Sequence, residues 1–143
     1  MIRDPEILQI LLDTVRQFVS ETLIPRENEV AETDTIPSDT IDQMKELGFF
    51  GLTLPEEYGG LGLTMEEEVN VVFELGQTSP AFRSYIGTNN GIGSIGILID
   101  GTPEQKQAYL PRLASGELLS SFCLTEPDAG SDATALKTEA VRD

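Results

Sequence analysis

From Leu8 onward the apolar residues recur every three or four positions. Leu8, Leu11, Leu12, Val15, Phe18, Val19 and Leu23 form one stripe, the spacing of a helix with a single buried face. Asp4 suits the N-cap and Pro5 the first turn. The pattern predicts a stop at Ile24-Pro25, because proline disfavours helical geometry in the residue before it. A polar linker then runs to about Pro37. A second helix is predicted from about Ser38 to Leu47, with Ile41, Met44 and Leu47 inward and Gly48 as its stop. GFFGLTLPEEYGGLGL, Gly48 to Leu63, reads as an irregular connection anchored by Phe49, Phe50, Leu52, Leu54 and Tyr58. Thr64 and Glu67 have capping-box spacing and open a third helix to about Leu75.

After Ser79-Pro80 the local signals conflict. FRSYIGTNNGIGSIGILID carries four glycines, each costing roughly 1 kcal/mol against alanine in a helix. Phe82, Ile86, Ile92, Ile95 and Ile99 nevertheless fit the buried face of one helix with small residues between them. A fifth helix opens at Thr102-Pro103, where Gln105 completes a second capping box, and stops by Gly116. From Leu118 the period changes from 3.6 to 2. Leu118, Ser120, Phe122 and Leu124 alternate with Leu119, Ser121 and Cys123, as in a strand, and a second strand is predicted around Leu136 to Val141. Two strands are marginal alone. The expected fold is therefore mainly α: a helical domain over 1–117, then 118–143 as the beginning of a β domain cut off at Asp143.

Charge narrows the chemistry. The net charge is −16, with nine basic residues scattered singly, so the cluster of Lys and Arg that nucleic acid requires is missing. A phosphate-bearing ligand would have to rest on backbone N–H groups, hydroxyls and helix N-termini. With no histidine, acid–base work falls to carboxylates. No window is long and apolar enough to predict a membrane span. The N-terminus lacks a signal-peptide pattern, and the single cysteine suits a reducing compartment, so a cytoplasmic location is expected.

Five features carry candidate chemistry. TEPDAGSD, Thr125 to Asp132, is either an ordinary turn or a ligand-cradling loop, with Gly130 admitting a phosphate and the Thr125 and Ser131 hydroxyls donating to polar atoms. Arg83 is either a structural partner for one of the 25 acids or an anion-binding residue. Glu66, Glu67 and Glu68 suit a helix's first turn through the dipole better than a metal. Asn89 and Asn90 fit either a pocket wall or the polar part of a helix. Cys123 reads as a small buried strand residue, since no histidine is present to activate it.

FCLTEPDAGSD, Phe122 to Asp132, resembles the flavin-binding signature of the acyl-CoA dehydrogenase family, with Thr138 further on as in family members. LPEEYGGLGL resembles the family's connection after its second helix, and GTPEQKQAYLPRLASGEL the helix leading into the signature. The resemblance implies a helical N-terminal domain, a β-barrel middle domain and a C-terminal four-helix bundle, usually assembled as a tetramer. It implies FAD as cofactor, acyl-CoA as substrate in fatty acid metabolism, and an electron-transfer flavoprotein as acceptor. Family members oxidise acyl-CoA to trans-2-enoyl-CoA by α-proton abstraction and β-hydride transfer to flavin. The implied cofactor contacts are Phe122, Leu124, Thr125, Gly130 and Ser131, with Ser131 also near the CoA. The family's base, a glutamate usually in the C-terminal bundle, has no counterpart here; Glu126 matches a residue that is not the base. The chain alone is therefore expected to be inactive. AFRS resembles the Tyr-Arg-Ser context in which a glutaryl-CoA dehydrogenase holds the far carboxylate, so Arg83 is the candidate for a dicarboxylyl-CoA tail. Competing expectations are a non-catalytic helical module for acyl or protein partners, or an acyl-CoA oxidase or nitroalkane oxidase of the same fold.

Overall fold

The Asp4 carboxylate accepts the Glu6 and Ile7 N–H groups at 3.0 and 3.1 Å and so starts α1, Pro5–Phe18. These contacts are those of a computed structural model that describes residues 2–141. Met1, Arg142 and Asp143, the outer ends of the two expected segments 1–117 and 118–143, lie outside the described residues. Leu8, Leu12, Val15, Phe18, Val19 and Leu23 are buried, and Leu11 packs against them. The helix does not stop at Ile24-Pro25. Val19–Leu23 widens into a π-turn in which Ile24 N–H donates to Val19 O, and α2 continues over Ile24–Thr33. Proline has no N–H to give and its ring crowds the carbonyl four residues back; the wider turn ahead of it accommodates both effects without ending the helix. The expected linker thus shrinks to 34–37. Asp34 ends α2 at φ 52°, in the left-handed region that Asp enters more readily than most residues.

α3 spans Ser38–Glu46 and ends through Leu47 on Gly48, at φ 73°. The connection that follows folds back on itself. Leu61, Gly62 and Leu63 N–H groups donate to Gly51, Leu54 and Leu52 carbonyls, each at 2.8 Å. α4, Met65–Leu75, opens with the capping box expected of Thr64 and Glu67.

Glu67 does more than cap. It is buried, and its carboxylate accepts Arg3 N–H at 2.8 Å, Thr64 N–H at 2.8 Å and Arg3 Nε at 3.3 Å. These donors, the Arg3 N–H first, hold its pKa at about 2 against 4.5 when free. A depressed carboxyl stabilises the fold fully above the unfolded pKa and loses that contribution as pH falls through the folded one. The Tm gap between the native chain and Glu67→Gln is therefore expected to be widest above pH 4.5 and to close between 4.5 and about 2. A gap that stays constant over that window contradicts the assignment.

The glycine-rich segment forms two helices, not one: α5, Pro80–Asn90, and α6, Ile95–Asp100. Phe82 and Ile86 are buried as expected, whereas Ile92, Ile95 and Ile99 are 59%, 44% and 67% exposed. The turn at 91–94 ends the common face, so a single helical period no longer relates the two halves. α7, Pro103–Ala114, carries the second capping box and stops before Gly116, at φ 72°. The main core joins α1 through α5 with Phe49, Phe50 and Leu52, and Phe18 meets Phe49 edge-on at 5.7 Å. A smaller cluster of Leu54, Leu110, Leu113 and Ala114 sits under α7, packed by Tyr58, Ile97, Leu98 and Leu118.

No β-strand forms at Leu118–Leu124 or at Leu136–Val141 among the described residues; the β pairing there is one bridge, Glu126 to Ala129. Alternation supplies the two faces of a strand, but a ladder needs a partner, and no described residue pairs with either stretch. Cys123 is accordingly exposed rather than buried, with Sγ 3.6 Å from Ser121 Oγ.

Candidate functional site

The two asparagines of α5 determine how the C-terminal segment is mounted. Both are buried. Asn90 Nδ2 donates to Phe49 O at 2.6 Å and Ile86 O at 3.1 Å, while its backbone carbonyl accepts the Thr53 hydroxyl at 2.5 Å. Asn89 Nδ2 donates to Leu113 O at 2.9 Å and Leu118 O at 2.8 Å. Its Oδ1 accepts the Ser120 N–H at 2.9 Å and the Ser120 hydroxyl at 3.0 Å. Neither is a pocket wall or an idle polar residue: Asn89 fastens 118–120 to the helices. Gly93 makes the fit possible, since a Cβ there would stand 2.0 Å from Ser120 Oγ. Two adjacent amides at the end of α5 were the available sequence signal.

Beyond Ser120 the chain presents the signature loop. Phe122 and Leu124 are 53% and 39% exposed, and Thr125, Gly130 and Ser131 are exposed. Gly130 has open space around it: a Cβ there would meet nothing within 4 Å. The loop is braced internally. Glu126 N–H donates to Ala129 O at 2.9 Å and Ala129 N–H to Glu126 O at 3.2 Å, and Ala129 itself is buried. The Asp132 carboxylate accepts the Thr134 hydroxyl at 2.6 Å and the Thr134 N–H at 3.1 Å, which hold its pKa below the usual range. Lys137 Nζ lies 3.1 Å from Asp128.

The Glu126 carboxylate faces the far side of the same loop. It accepts Lys137 N–H at 2.9 Å, Thr138 N–H at 2.8 Å and the Thr138 hydroxyl. The hydroxyl first, then the two N–H groups, lower its pKa. A carboxylate so committed is a poor proton acceptor, which agrees with its exclusion as a base.

The five expected cofactor contacts thus lie within ten residues on one exposed stretch. Arg83 is placed apart. With Ser84, Gly87, Thr88, Gly91 and Ile92 it lines an open depression of about 390 Å³ to which no residue of 118–141 contributes. Its guanidinium rests over Gly87, Nη1 lying 2.6 Å from where a Cβ would be. The expected structural ion pair does not form: among the described residues no acid comes within 4 Å of this exposed side chain. Glu68 is near enough to sense it, since burial pushes the Glu68 carboxyl up and the Arg83 charge opposes that.

Known proteins resemble this chain in sequence and in fold. Residues 5–117 match the family model described as acyl-CoA dehydrogenase, N-terminal domain. The very long-chain specific acyl-CoA dehydrogenase of Macaca fascicularis is 43% identical over 136 residues, 95% of this chain and 20% of that protein. The (2S)-methylsuccinyl-CoA dehydrogenase of Cereibacter sphaeroides is 41% identical over 139 residues, 96% of this chain and 25% of that protein. The crystal structure of an acyl-CoA dehydrogenase complexed with FAD from Bacillus anthracis superposes with a TM-score of 0.81 at 33% identity, over 94% of this chain and 23% of that one. The chain thus spans between a fifth and a quarter of the length of these proteins. The sequence belongs to the acyl-CoA dehydrogenase family, with residues 5–117 corresponding to its N-terminal domain.

Proposed function

We propose that this chain supplies the helical domain and flavin loop of an FAD-dependent acyl-CoA dehydrogenase. The observation that carries the reading is the signature loop itself, braced internally and mounted on α5 through Asn89. Its residues fit the group. Gly130 leaves its backbone open to a diphosphate, Thr125 and Ser131 offer exposed hydroxyl donors, and Phe122 and Leu124 offer exposed apolar surface to a flat ring. In a chain of net charge −16, such neutral donors suit an anionic dinucleotide without a basic patch. Bound FAD would supply the two-electron acceptor. The substrate is an acyl-CoA, Ser131 lying on its CoA side; an electron-transfer flavoprotein takes the electrons, and the assembly is a tetramer. The whole enzyme that carries this domain is expected to purify yellow and to bleach when acyl-CoA is added. A colourless protein that binds no added FAD defeats the reading, and rapid peroxide formation on bleaching moves it to an oxidase.

We further propose that Arg83 selects a dicarboxylyl-CoA. Its guanidinium over Gly87, with no acid within 4 Å among the described residues, supports this, as does kinship with a dehydrogenase named for methylsuccinyl-CoA, whose acyl group ends in a carboxylate. Similarity to a very long-chain enzyme favours a neutral tail instead. Arg83→Met separates the two. Loss of a hydrogen-bonded charge pair costs about 1.5–3 kcal/mol, so preference for glutaryl-CoA over a neutral acyl-CoA should fall at least about tenfold. An unchanged ratio favours the neutral tail.

A further inference from the structure

The loop TEPDAGSD has no strand beside it among the described residues, yet it has a definite shape. Two kinds of contact give it that shape. The reciprocal Glu126–Ala129 backbone bonds close the first turn, and the Asp132 carboxylate caps the turn at Ala133–Ala135. Both are local. Two contacts reach past the loop to the segment beyond it: the exposed Lys137 Nζ lies 3.1 Å from Asp128, and the Glu126 carboxylate, at the loop's entry, reaches eleven and twelve residues ahead to the Lys137 and Thr138 N–H groups and the Thr138 hydroxyl. A carboxylate with three donors makes the charge-assisted kind of hydrogen bond, about twice as strong as a neutral one.

The position of this charge is otherwise unfavourable. A carboxylate beside donors meant for a diphosphate repels the ligand unless its own field is taken up elsewhere. At Glu126 that happens: its oxygens face the amides and hydroxyl of 137–138, leaving Thr125, Gly130 and Ser131 exposed.

We propose that Glu126 is a positioning residue for the flavin loop, a clamp that joins the loop's entry to the segment at Lys137 and Thr138 beyond it and holds the ligand-facing hydroxyls and the Gly130 backbone in their binding arrangement before FAD arrives. The proposal rests on the reading of this loop as the FAD contact. Preorganisation of this kind raises affinity by reducing the ordering that binding would otherwise require. Thr138 belongs to the clamp, since its hydroxyl is given to Glu126.

Glu126→Gln tests this in the whole enzyme that carries this domain. Glutamine keeps the size and one oxygen, which can stay on Thr138, but sets its amide N–H₂ against the Lys137 N–H, so the Lys137 bond is lost and the Thr138 bonds lose their charge assistance. In the FAD-free protein, amide exchange at Lys137 and Thr138 should quicken about tenfold, with little change elsewhere in the helices. The dissociation constant for FAD should rise about tenfold, and KM for acyl-CoA measured at saturating FAD should stay near the native value. Thr138→Val should weaken FAD less, and the double variant should be weaker than native by less than the product of the two single effects, because both substitutions release one clamp. Unchanged exchange at Lys137 and Thr138 overturns the clamp. Faster exchange with unchanged FAD affinity overturns the positioning role while leaving the flavin reading intact. A native chain that binds no FAD overturns the flavin reading and the positioning role together, and the exchange data then report the clamp alone.

Discussion

Gly60→Ala is expected to destabilise the helical domain by at least about 3 kcal/mol, the upper range for forcing an atom into a packed site. A Cβ at Gly60 would stand 2.0 Å from Leu54 O, 2.6 Å from Leu54 C and 2.7 Å from Gly51 O. All three are backbone atoms, so no rotamer change relieves the clash. Those same carbonyls accept Gly62 and Leu61 N–H, each at 2.8 Å, and moving them breaks the bonds that fold 55–63 back over 51–54. Leu52 and Leu54, whose side chains are buried in the same segment, would shift with them. Native stabilities are only about 5–15 kcal/mol, so a loss of this size gives a large unfolded fraction at modest urea. Gly59→Ala is the matched control. Gly59 has φ 82° and open space around it, so alanine there meets only the left-handed backbone cost, about 1–2 kcal/mol. Urea melts of both variants check the claim. A Gly60→Ala midpoint at or above that of Gly59→Ala would refute the backbone clash.

This pair of neighbouring glycines also shows what a sequence conveys. That 48–63 is irregular and glycine-dependent follows from local signals, as do the Asp4 cap, both capping boxes and the stop at Gly48, because each depends on residues within one turn of one another. Which glycine needs its missing side chain, and which needs its positive φ, depends on a carbonyl brought back by the fold. The same division explains the errors. Pro25 looked like a helix end because its effect on an α-turn is local, whereas the π-turn that accommodates it is held by Val19 and Leu23, buried in the main core. The break between α5 and α6 was obscured by isoleucines that keep helical spacing across it. The alternation of 118–124 was correct as a pattern, but a strand is a relation between two segments and alternation describes one. Within the candidate site, the loop was legible from its residues. Its brace at Glu126 and its mount at Asn89 reach eleven or more residues away and left no periodic trace.

The mount gives the second large effect. Asn89→Ala is expected to cost about 3 kcal/mol: it removes four hydrogen bonds of about 0.5–1.5 kcal/mol each, and although Leu113 O keeps the Gly116 N–H at 3.2 Å, the half-buried Leu118 O loses the Asn89 donor. The loss should be greater than for Ser120→Ala, which forfeits one hydroxyl bond of about 0.5–1.5 kcal/mol. Asn89→Asp sharpens the test. It keeps an acceptor for Ser120 but turns the group facing the Leu113 and Leu118 carbonyls from donor to acceptor, so it should be no more stable than the alanine variant. Amide exchange then locates the damage. Ser120 N–H is held by Asn89 Oδ1 at 2.9 Å, whereas Leu118 N–H is held by Arg112 O at 3.0 Å. Asn89→Ala should therefore release the Ser120 amide selectively and leave Leu118 protected to the level of the surrounding helix. The loop proposed to contact FAD begins five residues further on, so on that reading FAD occupancy of the whole enzyme should fall with the Ser120 protection. A Ser120 amide that exchanges as slowly without the asparagine as with it would mean that the loop is mounted by something other than α5.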